Sequence, residues 1–158
     1  MKLYLQVGLP SETDADVADI VATVARLHDI AVAEGRGRGR VAEIVPSVNA
    51  FIPKPHTPYE DESLHDEEEL REKLSFLQRE LSRIPNVVFR GMPVGEAVWE
   101  AFLAKVDESG ADILEEAADG TPVRRLLKIH RERIAAVVRP QSARPPVQPA
   151  PWSFISKR

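Results

Sequence analysis

Apolar and polar positions divide the first third of the chain into three elements. Residues 2–7 alternate, with Leu3, Leu5 and Val7 on one side and Lys2, Tyr4 and Gln6 on the other. That is the period-2 pattern of a half-buried strand. Gly8-Leu9-Pro10 breaks the alternation, and Thr13-Asp14-Ala15-Asp16 reads as a capping box that opens a helix. Val17, Ile20, Val21, Val24, Leu27 and Ala31 recur at the helical period and carry that helix to about Glu34, with Gly35, Gly37 and Gly39 ending it. A second strand follows, with Ile44, Val48 and Ile52 on one face and Val45, Ser47, Asn49 and Phe51 on the other. Strand, helix and strand with short connections make a βαβ unit, so the two strands are expected to run parallel.

Both strands carry polar groups on one side: Tyr4 and Gln6 on the first, Ser47 and Asn49 on the second. Strands of an ordinary doubly wound sheet are covered on both faces and read as continuous apolar runs. A parallel strand with a polar face suits the lumen of a barrel or the wall of a ligand site better than an open sheet. The expected class is therefore α/β: a partial β/α (TIM-like) barrel of parallel strands with covering helices.

Further along, Pro53-Lys54-Pro55-His56-Thr57-Pro58 must be irregular, and Glu60 to Glu72 holds eight carboxylates. From Asp66, with Glu69 as capping partner, Leu70, Leu74, Leu77, Leu81 and Ile84 define an amphipathic helix. Pro85-Asn86 turns the chain into a short third strand, Val87-Val88-Phe89. Pro93 to Lys105 reads as a helix burying Val94, Val98 and Phe102, and Ala111 to Ala118 as a shorter one closed by Gly120. Thr121-Pro122 starts a last helix, capped by the threonine with proline at its first position. Its apolar side is Val123, Leu126, Leu127, Ile134, Val137 and Val138. Five of the 13 prolines fall between Pro140 and Pro151, which makes that stretch an extended linker. The expected organisation is thus a partial barrel over 1–92, a helical extension over 93–138 and a Pro-rich tail over 139–158.

Composition narrows the possible functions. The 158 residues are 29% charged and 43% apolar, as in soluble globular proteins. The formal charge of −4 excludes a generally basic nucleic-acid coat. Charge is nonetheless uneven: residues 1–79 carry a net −6, and residues 121–158 a net +8 with Glu132 their one acid. Cysteine is absent, so this chain alone can build no disulfide, thiolate zinc site or iron–sulfur cluster. No apolar run approaches the roughly 20 residues that span a bilayer, and the start lacks a signal peptide's apolar core and cleavage site. A cytoplasmic location away from membranes is expected.

Two segments could carry chemistry. Gly8-Leu9-Pro10-Ser11-Glu12-Thr13 is a strand-to-helix turn whose backbone N–H groups could hold an anion or a cofactor's polar atoms; the same residues also serve as a plain turn and cap. Asn49 to Pro58 places three prolines in six positions at a strand end, where α/β folds bind ligands, and would present Lys54 and His56 rigidly; it serves equally as a stiff connector. Gly35-Arg36-Gly37-Arg38-Gly39-Arg40 reads as a basic, flexible connector rather than a phosphate site. The basic residues Arg124, Arg125, Lys128, Arg131, Arg133 and Arg139 could meet an RNA backbone or the acidic helix, but a solvated face or an intramolecular partner is favoured. No aromatic interleaving supports base stacking, so a nucleic-acid partner is not expected. His28, His65 and His130 are isolated in sequence and assemble no metal site. Glu67, Glu68 and Glu69 are consecutive and do not share a helix face as a catalytic pair.

Lys2 to Thr13, with its Gly-Leu-Pro-x-Glu-Thr turn, followed by Ser47-Val48-Asn49-Ala50-Phe51-Ile52-Pro53-Lys54-Pro55-His56-Thr57-Pro58, resembles radical S-adenosylmethionine enzymes. The resemblance is closest to the bacterial branch with a cobalamin-binding-type domain upstream. Gly91-Met92-Pro93-Val94-Gly95-Glu96-Ala97 and Pro151-Trp152 are compatible with it, so it spans most of the chain.

That resemblance implies an enzyme that cleaves S-adenosylmethionine reductively on a four-iron, four-sulfur cluster. The cluster is held by a Cys-x-x-x-Cys-x-x-Cys loop after the first barrel strand. This chain has no cysteine and would begin near the fifth strand, so the expectation is a C-terminal fragment, a truncated frame or a separately encoded half. Its partner would be the missing N-terminal half of the barrel, and self-association is expected without it. The resemblance places Val7, Gly8, Phe51 and Ile52 by the adenine end of S-adenosylmethionine, and points Tyr4, Gln6, Ser47 and Asn49 into the lumen. Glu12 and Thr13 would fix the turn and cap the helix. No cofactor is expected on this chain alone, and no residue is assigned a catalytic step. The rival from another class is a non-enzymatic α/β module that binds a protein or RNA partner through its basic last helix and Pro-rich tail.

Overall fold

The computed structural model describes residues 1–138; the Pro-rich tail, with Arg139 and Trp152, lies outside the described residues. The chain folds as two units, the first comprising Met1–Phe51 and His65–Met92, the second Ile52–Leu64 and Pro93 onward. The segment after the second strand, residues 52–64, thus groups with the later helices.

In the first unit, β1 (Lys2–Val7), α1 (Asp14–Arg36) and β2 (Val45–Ala50) form the βαβ unit that the pattern predicts. The strands are parallel, in register from Lys2↔Val45 to Val7↔Ala50. The predicted box at Thr13 is formed: Thr13 N–H donates to Asp16 Oδ2 at 2.8 Å, and Asp16 N–H to Thr13 Oγ1 at 3.3 Å. The helix runs past Gly35, because that glycine is buried where a Cβ would lie 2.5 Å from the Arg40 carbonyl oxygen. The close return of the chain requires glycine there, and the helix ends a residue later.

The third strand differs from the expected Val87-Val88-Phe89. Val87 meets Ile44 in an isolated bridge, and β3 proper is Arg90–Gly91, parallel to β2 through Ser47↔Arg90 and Val48↔Gly91. The offset between partners is the same on both sides of the gap. Ile44 donates to the Asn86 carbonyl and accepts from Val88, each at 2.9 Å, so the next donor toward β3 would be residue 46. Pro46 has no N–H to give, and the ladder is interrupted there.

The sheet is open, of order β1-β2-β3. One face is covered. The helix α2 (Glu67–Leu81) buries Leu70, Leu74, Leu77 and Leu81 alongside Val17 and Val24 of α1 and Val7, Ile44, Val48 and Ala50 of the sheet. Each such side chain removed from water contributes about 1.5–3 kcal/mol. Asp66 caps α2 by accepting from the N–H groups of Glu68 and Glu69.

Within the second unit, residues 52–64 form turns and irregular chain, and the described residues from Pro93 onward are mostly helical. Helix α3 (Val94–Lys105) buries Val94, Ala97, Val98, Ala101 and Phe102, and α4 (Ala111–Ala118) adds Ile113. Lys105 is also buried, its ammonium donating to the Glu62 carbonyl at 2.5 Å, which ties segment 52–64 to α3. The single last helix expected from the sequence is instead two, α5 (Val123–Ile129) and α6 (Arg131–Val138), broken at His130. His130 Nε2 reaches Glu116 of α4 at 3.1 Å, which holds the break in place. Nor does Thr121 cap α5: Pro122 takes the N-cap position, with no side-chain hydrogen bond.

Candidate functional site

The uncovered face of the sheet carries the polar residues that alternation assigned to it. Gln6 and Asn49 are exposed cross-strand neighbours, and Tyr4, 74% exposed, pairs with half-buried Ser47. Leu3 and Leu5 take the covered side with Val7. The register therefore sets two amides and two hydroxyls side by side on one surface.

The C-terminal strand ends adjoin this surface. Phe51 N–H donates to the Val7 carbonyl at 2.8 Å, holding the two ends together. Val7 itself is fully buried on the helix side, so only its backbone borders the end of the open face. Ile52 is buried and belongs to the second unit. The structure thus brings together Gln6, Val7, Gly8, Ser47, Asn49 and Phe51 in the first unit.

Gly8 has φ +82°, and Ser11 has φ +67°. A Cβ on Gly8 would lie 2.8 Å from Leu70 Cδ2 and 3.1 Å from His65 Cβ, so both conformation and space require glycine. The Gly8 N–H is not open to a ligand. It donates to both Glu12 carboxylate oxygens, at 2.9 and 3.1 Å. Lys73 of α2 donates to Glu12 Oε1 at 2.7 Å, and the two side chains are only 11% and 5% exposed. Of the turn's two sequence readings, the structure therefore fills the anion position with the chain's own carboxylate.

Beside this ion pair lies a cleft of about 550 Å³ lined by Asp14, Val17, His65, Glu69, Glu72 and Phe76 as well as Glu12 and Lys73. His65 Nε2 is buried, 2.7 Å from Glu69 Oε2, without the alignment of a hydrogen bond. Lys73 and His65 were not legible as neighbours of the turn; Lys73 lies 61 positions from Glu12. Among the described residues, no group of His, Cys, Asp or Glu could hold a metal ion.

In the segment after β2, His56 has φ +61°, and its N–H donates to Glu60 Oε2 at 2.8 Å, while Thr57 Oγ1 donates to the Lys54 carbonyl at 2.8 Å. The loop is fixed by its own side chains, with Lys54 and His56 exposed. Of the basic last helices, Arg133 is taken up internally by two 2.7 Å bonds to Asp112 and a third to the Ser109 carbonyl. The guanidinium's hydrogen bonds hold the Asp112 carboxyl down at about 2. No described helix is long and apolar enough to cross a membrane.

No family model and no solved structure matches the chain. An uncharacterized protein of Methanocaldococcus jannaschii is 27% identical over 133 residues, 83% of this chain. The matched region spans 27% of that relative, so the chain covers about a quarter of its length.

Proposed function

We propose that this chain is the C-terminal portion of a radical S-adenosylmethionine enzyme and supplies part of the wall that binds S-adenosylmethionine and substrate. In this reading the open sheet is three strands of a partial β/α barrel. The observation that carries it is the register of β1 and β2, which sets the two resembling motifs side by side. Gln6 and Asn49 line up on a polar face, and the Gly-Leu-Pro-x-Glu-Thr turn and Phe51 meet at one edge. Barrel enzymes place their sites at that C-terminal edge. The match to a much longer relative is in keeping with a half-barrel that belongs to a larger protein.

The donor chemistry separates the two implied groups. A cluster does not fit this chain, which lacks every thiolate it would need. S-adenosylmethionine does fit: its ribose hydroxyls, amine and carboxylate match the exposed amides of Gln6 and Asn49 and the half-buried hydroxyl of Ser47. Bound there, it would supply the 5′-deoxyadenosyl group that abstracts hydrogen. The role of this chain is to bind and orient it, Asn49 and Gln6 by hydrogen bonding from the sheet face and Phe51 by packing at the strand end. No proton transfer is assigned to His56 or Lys54.

The test is the frame that encodes this chain together with the sequence upstream, expressed and reconstituted anaerobically. A Cys-x-x-x-Cys-x-x-Cys loop in the same complex, with dithionite-dependent release of 5′-deoxyadenosine that falls in Asn49→Ala, is the expected result. A complete protein without such a loop would overturn the reading.

A further inference from the structure

The Glu12–Lys73 pair has an arrangement that packing alone does not require. A buried ion pair is weak evidence of stabilisation, because desolvation offsets the attraction, but it is strongly directional. Here the direction is specific. One carboxylate accepts the Gly8 N–H on both oxygens and the Lys73 ammonium on Oε1. The turn it grips is otherwise unfavourable, since Ser11 carries a positive φ that a residue with a side chain adopts at a cost. Such a conformation persists where its surroundings over-determine it. Leu70 and His65 limit the space around Gly8, and the Phe51 N–H holds the carbonyl side of the Val7–Gly8 peptide, which leaves its N–H side to be satisfied. The carboxylate holds that N–H side, and Lys73 holds the carboxylate.

We propose that Lys73 is a positioning residue: through Glu12 it holds the N–H side of the Val7–Gly8 peptide, whose carbonyl Phe51 holds, and with it the strand end that faces S-adenosylmethionine. The link to the ligand rests on the reading of this turn as part of the wall; the clamp itself does not. Helix α2, which contributes no residue to the polar face, thereby controls the face's edge.

Amide hydrogen exchange on the 158-residue chain tests the clamp, with Gly8 measured relative to Ile44, whose N–H bonds Asn86. Lys73→Met is expected to speed Gly8 exchange relative to Ile44 by at least about tenfold, and Lys73→Arg to keep it within about twofold of wild type. The variant Glu12→Gln/Lys73→Met leaves no unpaired buried charge, so it carries the test if the single change fails to fold, and it is expected to show the same selective loss. Equal changes at Gly8 and Ile44 would mean a merely structural lysine and would overturn the proposal. In the complete enzyme, Lys73→Met is expected to raise KM for S-adenosylmethionine at least about fivefold with kcat within about twofold. Faster Gly8 exchange with an unchanged KM would overturn the link to the ligand wall while leaving the clamp intact; unchanged Gly8 exchange would overturn the role of Lys73 itself.

Discussion

Leu5 and Leu70 both belong to the apolar side of the first unit, yet Leu5 is half-buried and Leu70 fully buried. Leu5 lies on an edge strand; Leu70 fills the space directly against Gly8. Truncating a fully buried leucine costs about 2–5 kcal/mol, through lost transfer energy and the cavity left behind. Leu70→Ala is therefore expected to fall in that range by urea denaturation, Leu5→Ala clearly below it, and exposed Asn49→Ala within about 0.5 kcal/mol of wild type. Alternation alone made Leu5 look like a core leucine, because a period-2 pattern assigns a face and not a depth. The same limit hid the Glu12–Lys73 pair. Thr13 and Asp16 are three positions apart, so their box was legible; Glu12 and Lys73 meet only when α2 packs on the turn.

At the scale of elements, local chemistry predicts α1, α2 and α4, whose caps or breakers lie within a turn of their ends, and these helices form. Local chemistry fails where a partner from elsewhere decides the outcome. Residues 123–138 contain no glycine or proline, so nothing local marks the break at His130, whose ring meets Glu116 of another helix. Pro46 was visible, but its effect on β3 required the register. The Asp112–Arg133 pair, which joins α4 to α6, gives a pH test. Its carboxyl is lowered from 3.8 to about 2, chiefly by the side-chain hydrogen bond to Arg133. A depressed carboxylate stabilises the fold above its unfolded value, and that contribution is lost as pH falls through the folded one. Carbon-13 titration is expected to find Asp112 at about 2, and Arg133→Gln to return it toward 3.8. An Asp112 that titrates near 3.8 in the wild type would show that the pair does not form.

For the molecule as a whole, the open sheet has consequences beyond its polar face. The bonds from Val45 N–H to the Met1 carbonyl and from Phe51 N–H to the Val7 carbonyl set the phase of the β1–β2 ladder. The peptide groups of Lys2, Tyr4 and Gln6 therefore point away from β2, along an edge that pairs with no strand among the described residues. An unpaired edge is a template for another strand. The chain alone is expected to self-associate, seen by light scattering as a molar mass that rises with concentration above 17.6 kDa. A monomer at all concentrations would count against an edge that needs a neighbour. Anaerobic reconstitution of the chain alone is expected to leave no stable cluster spectrum; about four irons bound per chain would contradict this.

The polar face as a ligand wall is the central claim, and S-adenosylmethionine affinity of the complete enzyme tests it most directly. Isothermal titration would compare wild type with Asn49→Ala and Gln6→Ala, each checked for an unchanged melting temperature. Loss of one ligand hydrogen bond is expected to weaken Kd by about tenfold in each variant. Affinities equal to wild type in both variants would contradict the account.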